Sequence, residues 1–204
     1  MDVKKIIPII FSFVLIIISC RHRTNWKYLT KEDLENFRKE FNLPKEKTFR
    51  LDTNYTRYLF SFDTLRYSDA ILNHFQPLQA IYYDKKGQMI SFHTNCYASA
   101  GLQDNRDFKW DQQNAFASFV PKTVVPLDSI LPLFRHLSFI RTFDNKSIDT
   151  TGFSRCDYTV IIHWGEKIWP KESKNLIKIV TDNANLALNK KVNILYVNSD
   201  DAFQ

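Results

Sequence analysis

The chain has 204 residues, with 28 Lys and Arg against 22 Asp and Glu and a formal charge of +6. The basic residues are scattered rather than gathered into a stripe, so they leave no nucleic-acid footprint, and four glycines are too few for a glycine-rich phosphate cradle of either common kind. The aromatic content of 15% is dominated by seventeen Phe; a Phe-rich core explains it, with an aromatic-lined groove as the alternative.

Residues Met1 to Lys5 carry two lysines, and an apolar run follows from Ile6 to Ile18, broken by Pro8 and Ser12. That run is too short to cross a bilayer, which needs roughly 20 apolar residues. A positive start, a short apolar stretch and a small residue before a cut match a signal peptide. The run closes on Ile17-Ile18-Ser19-Cys20, which resembles the lipobox of bacterial lipoproteins. The resemblance covers about the first twenty residues. It implies cleavage before Cys20, acyl chains on its thiol, and a domain held to a membrane of the bacterial cell envelope, outside the cytoplasm. An uncleaved signal anchor with an incidental cysteine is the competing reading. On the lipoprotein reading residues 1–19 are the signal peptide, 20–29 a lipidated tether, and 30–204 a single globular domain.

Thr30-Lys31-Glu32-Asp33 has the form of a helix start, with Thr30 as cap and an acid three positions on. Leu34, Phe37 and Phe41 then recur at helical spacing up to Leu43-Pro44. Arg57 to Phe62 is rich in β-formers and reads as a strand. Ser68 caps a brief helix through Phe75. Ala80–Tyr83 and Met89–Phe92 flank Asp84-Lys85-Lys86-Gly87, a hairpin with glycine near the end of its turn; its second strand has room to run on to Cys96. Residues 97–126 lose periodicity and read as a long loop around Phe108 and Trp110, of the kind that is often functional. Leu127, Ile130, Leu131, Phe134 and Leu137 predict a helix over 127–140, with Pro132 in its first turn or at a kink.

After the polar stretch 144–151, Tyr158 to Trp164 reads as a buried strand. Pro170 suits a helix start; Leu176, Ile177, Val180, Ala184, Ala187 and Leu188 supply its apolar face, and Val192–Val197 is a second strand. Strand, helix and strand with short links form a βαβ unit, which predicts parallel strands and a right-handed crossover. The expected fold is therefore α+β or α/β: a single mixed-sheet domain with an N-terminal helix, a β-hairpin and a C-terminal βαβ unit.

The segment 157–199 resembles the central βαβ unit of thioredoxin-like proteins, with Trp164 where that family often places the Trp before its redox Cys-x-x-Cys. The resemblance would put the cysteines at Gly165 and Ile168, where this chain has no thiol, so the family's redox activity is not implied here. With the hairpin and a helix ahead of the βαβ unit, the order would be permuted; an unrelated α+β sandwich supplies the same elements.

If Cys20 is acylated, Cys96 and Cys156 remain, either paired as a disulfide in an oxidising compartment or buried as separate thiols. Arg155 stands beside Cys156, and His93 three residues before Cys96, but adjacent and odd-spaced strand positions face opposite ways. No cluster of four Cys or His ligands suggests structural zinc, so no metal site and no cofactor are expected. His163 and Trp164 close a parallel strand, where open α/β sheets place ligands; with Trp110 they form the expected ligand or partner surface, packing against the following helix being the alternative. Asp63, Asp69, Asp128 and Asp149 show no spacing that marks an acid/base pair. The sequence thus predicts a non-catalytic envelope lipoprotein that binds an envelope protein or small ligand and no nucleic acid. The alternative is a thioredoxin-like redox lipoprotein using Cys96 and Cys156.

Overall fold

A computed structural model describes residues 28–95, 110–111, 114–167 and 169–203. Calls on Cys20, Cys96 and Ile168 lie outside these residues, as do the signal peptide and the tether as far as residue 27. Among these residues, eleven α-helices and strands follow one another: α1 (Lys31–Glu40), β1 (Thr48–Leu51), α2 (Asn54–Leu59), α3 (Ser68–His74), β2 (Gln79–Asp84), β3 (Met89–Thr94), α4 (Leu133–Leu137), β4 (Ile140–Arg141), β5 (Tyr158–Trp164), α5 (Pro170–Ala184) and β6 (Val192–Asn198). The strands make one six-stranded mixed sheet in the order β3-β2-β5-β6-β1-β4.

The βαβ unit is as expected: β5 and β6 are parallel, Tyr158 opposite Val192 through Trp164 opposite Asn198. The hairpin lies on the other side of β5, with β2 antiparallel to it, and β1 extends the sheet beyond β6 in parallel. This is the α+β, mixed-sheet domain read from the sequence, with helix, hairpin and βαβ unit in the expected order.

Both faces of the sheet are covered. On one, Ile81, Tyr83, Phe92, Ile161, Leu195 and Val197 pack beneath α2, α3 and the segment through α4. On the other, Ala80, Tyr82, Val160, Ile162 and Trp164 pack beneath α5, the end of α1 and the stretch around Phe116. Alternation along β5 sends successive side chains to opposite layers, and because this strand is central, both sets are buried. Fully burying such an aliphatic or aromatic side chain contributes roughly 1.5–3 kcal/mol, which is why Tyr158–Trp164 gives the plainest sequence signal.

Several elements differ from expectation. Arg57 to Phe62 is not a strand; it falls on α2 and the turn after it, because Tyr55 and Leu59, four apart, are the buried pair, and helical spacing outweighs the β preference of the aromatics. The strand on this part of the chain is β1, at Thr48–Leu51. The helix expected over 127–140 shrinks to five residues with Pro132 as its N-cap. Leu127 and Phe134, expected on its apolar face, are exposed instead. Helix α5 stops at Ala184, leaving Leu188 exposed. Leu29 is buried, its N–H donating to Asp201 Oδ1 at 3.1 Å, so it belongs to the fold.

Candidate functional site

The expected surface residues are in the interior. Trp164 is fully buried 4.9 Å from the Phe41 ring. Trp110 is buried, its indole N–H donating to the Glu172 carbonyl at 3.1 Å. His163 is fully buried on the opposite face from Trp164. A central strand covered by two layers presents neither side chain to solvent, so these three form no contact surface in this conformation. Cys156 is a free, half-buried thiol, its Sγ 3.9 Å from the Gly152 carbonyl.

The structure assembles a polar seam around His163 instead. Thr94 on β3, Gln79 on β2 and His163 on β5 are direct cross-strand neighbours, and neighbours across a sheet point to the same face. His136 comes down from α4, its Nε2 2.8 Å from His163 Nε2. Its Nδ1 lies 3.0 Å from Tyr83 Oη, which donates to the Leu131 carbonyl at 3.1 Å. These contacts imply one proton arrangement: Tyr83 gives its proton to Leu131, His136 Nδ1–H donates to Tyr83, and His163 Nε2–H donates to His136. His163 Nδ1 is then a bare acceptor, without a protein partner.

At the rim, His74 Nε2 meets the Asp128 carboxylate at 3.1 Å, and its ring stacks on Phe92 with centroids 4.6 Å apart. The His74 carbonyl accepts from Tyr55 Oη (3.1 Å) and Gln79 Nε2 (2.6 Å); Gln79 also donates to the Gln76 carbonyl. With both amide protons committed, Gln79 Oε1 is left without a protein partner, like Thr94 Oγ1 and His74 Nδ1. Among the described residues, three such atoms on one sheet face and a fourth on α3 above it are a concentration of unmet hydrogen-bonding capacity, which folded proteins ordinarily meet with water or another polar group.

Burial sets the charge state. It pushes the His163 imidazole down to about 3, with nearby His74 adding to the effect. It holds His136 well below the ordinary histidine value, helped by His163 and His74, and raises Tyr83 well above the usual phenol range. The inner chain is therefore neutral near pH 7, suited to relaying hydrogen bonds rather than holding an anion. On the other face burial brings His93 down to about 4, with Nε2 3.1 Å from Ser91 Oγ. Among the described residues, no group of three or more His, Cys, Asp or Glu is arranged to hold a metal ion, and no helix is long and apolar enough to cross a membrane.

The turn after β5 has its own polar plug. Asp200, just beyond β6 and fully buried, accepts from the backbone N–H groups of Glu166 (2.9 Å) and Lys167 (3.1 Å) and from Asn198 Nδ2 (2.9 Å). Burial pushes its carboxyl up, against the pull of these donors. Gly165 leaves the space: a Cβ there would meet Asp200 Oδ1 at 2.7 Å. The side chain thus fills the position where open α/β sheets take ligands. Asp201 binds Arg50 (2.9 Å) and the Leu29 N–H.

Sequence reading named His163 but missed His74, Gln79, Thr94, Asp128 and His136 as its company. The register hid the pairing. Counting back from Tyr83 opposite Met89 would set Gln79 against His93, and a bulge between Tyr82 and Tyr83 moves it onto Thr94 instead. The contribution of α4 and of Asp128 had no local signal.

No protein-family model matches this chain. Neither does any curated protein, nor any solved structure.

Proposed function

We propose that this protein is a bacterial envelope lipoprotein, held to a membrane by acyl chains on Cys20. Its α+β domain, outside the cytoplasm, binds an envelope protein or a small ligand rather than carrying out catalysis. The observation that carries the anchor is Ile17-Ile18-Ser19-Cys20 at the close of a short apolar run behind Lys4 and Lys5. Two or three acyl chains anchor durably where one holds only marginally. Binding is favoured over catalysis because His74, His136 and His163 are sealed inside and would meet a substrate only if the layers parted.

The order hairpin, β5, β6 supports the permuted thioredoxin-like reading of the fold. The redox alternative has weaker support. Cys156 is a free thiol among the described residues, its Sγ 3.9 Å from the Gly152 carbonyl, and Gly165, where the thioredoxin-like resemblance would put a redox cysteine, has the Asp200 carboxylate packed against it.

Fractionation tests the anchor: Cys20→Ser should move the protein from membranes to the soluble fraction, and unchanged membrane association would refute it. Thiol titration with and without reductant tests the rest. Two thiols that do not exchange are expected; a reactive pair that turns over would overturn the binding reading.

A further inference from the structure

We infer that the end of the sheet where β5 and β6 finish rests against the phospholipid surface, with Trp169 and Tyr28 seated at the headgroup level. This deepens the lipid-anchor reading and rests on it.

The first argument is where the tether joins. The chain enters the fold at Leu29, pinned by its N–H to Asp201, three residues past the end of β6. Nine residue steps separate Cys20 from Leu29. Covalent geometry limits them to at most about 30 Å. The Leu29 end is therefore held near the bilayer. The hairpin turn at Asp84, opposite Tyr158 at the other end of β5, is a further strand length of about 20 Å away.

The second argument is what this end exposes. Trp169 is 42% and Tyr28 67% exposed, and Lys167 and Lys171 are exposed beside Trp169. Trp and Tyr are the residues that settle at membrane–water interfaces, and lysine stems reach past them with the ammonium in water. The chain segments that carry the two aromatics converge on the residues just past β6. Asp200 ties the Glu166–Lys167 turn to the end of β6, and its neighbour Asp201 ties Leu29 to the same place. Lys167 also lies close enough to Asp33 to add to the Thr30 hydrogen bonds that hold its carboxyl low.

The third argument is the direction of the acids. Asp200 points inward to backbone N–H groups, and Asp201 to Arg50 and Leu29. Neither presents a bare carboxylate to the lipid. The contact is aromatic more than electrostatic and should form on a zwitterionic surface.

The test uses the full-length lipidated protein in phosphatidylcholine vesicles with brominated acyl chains, which quench tryptophans near the hydrocarbon. The chain has four Trp. Trp110 and Trp164 are buried, and Trp26→Phe removes the one in the tether. In that background, fluorescence should be clearly quenched relative to unbrominated vesicles, and adding Trp169→Phe should reduce the quenched fraction to that of the buried pair. Equal quenching with and without Trp169, in protein that floats with the vesicles, overturns this orientation while leaving the anchor standing. Protein that does not float with the vesicles overturns the anchor, and this face with it.

Discussion

Lowering the pH from 7.5 to 5 is expected to cost the domain about 2 kcal/mol through His163 alone. An imidazole in the unfolded chain titrates near 6.5, whereas burial holds His163 in the fold down to about 3. The unfolded state therefore takes up a proton that the folded state refuses. Stability from this group is full above the unfolded value and falls as the pH drops from about 6.5 towards 3. Each unit of that window is worth roughly 1.4 kcal/mol, and pH 5 lies about a unit and a half into it. With a urea slope of about 2 kcal/mol per molar, the wild-type midpoint should fall by about 1 M from this site. Asp200 and Glu166, whose carboxyls burial pushes up, work in the opposite sense, so the informative quantity is a difference between proteins. His163→Gln keeps a donor for His136 and removes the titration. Whatever it costs at pH 7.5, its loss between pH 7.5 and 5 should be smaller than wild type by about 2 kcal/mol. Equal losses in the two proteins, by urea melts at both pH values, would refute the assignment of His163 as a neutral, desolvated base.

Gly165→Ala forces a methyl to within 2.7 Å of Asp200 Oδ1 and should cost about 1–3 kcal/mol; a wild-type melting temperature would show that the turn relaxes freely. Tyr83→Phe removes the hydroxyl shared by Leu131 and His136 and should cost about 1–3 kcal/mol in denaturant unfolding, with near-UV circular dichroism reporting whether the core repacks. Thr30→Ala breaks the reciprocal Thr30–Asp33 cap of α1 and should cost about 1 kcal/mol; thermal melts within error of wild type would mean that α1 is held by packing alone.

The sequence made legible those elements whose pattern and punctuation agree. Tyr158–Trp164 combines an unbroken apolar run with a central position, Pro170 sits where a helix starts, and Gly87 takes the positive φ (78°) that the hairpin turn requires. Reading failed where local preference and tertiary packing conflict. The residues around Tyr58 favour strands, yet Tyr55 and Leu59 bury together only on a helix. Leu127 and Phe134 fit a helical stripe that the fold leaves in water. The seam around His163 was visible only at His163 itself: a bulge between Tyr82 and Tyr83 sets Gln79 against Thr94 rather than His93, and His136, His74 and Asp128 arrive from elements whose placement no local pattern encodes.

On the proposed lipid anchor, the outer edge of β3 has a further consequence. Phe92 there gives its backbone N–H to Thr123 Oγ1 at 3.2 Å and takes the Val125 N–H on its carbonyl at 3.3 Å, so a non-strand segment occupies part of the rim where another strand would add. The opposite rim is only two residues long, and Arg141 there is bridged to Ser147. Open rims recruit neighbouring chains. Lipid anchoring would confine many copies to a plane, facing one another at high local density. A sheet blunted on both sides can be crowded in that way without zipping into its neighbours.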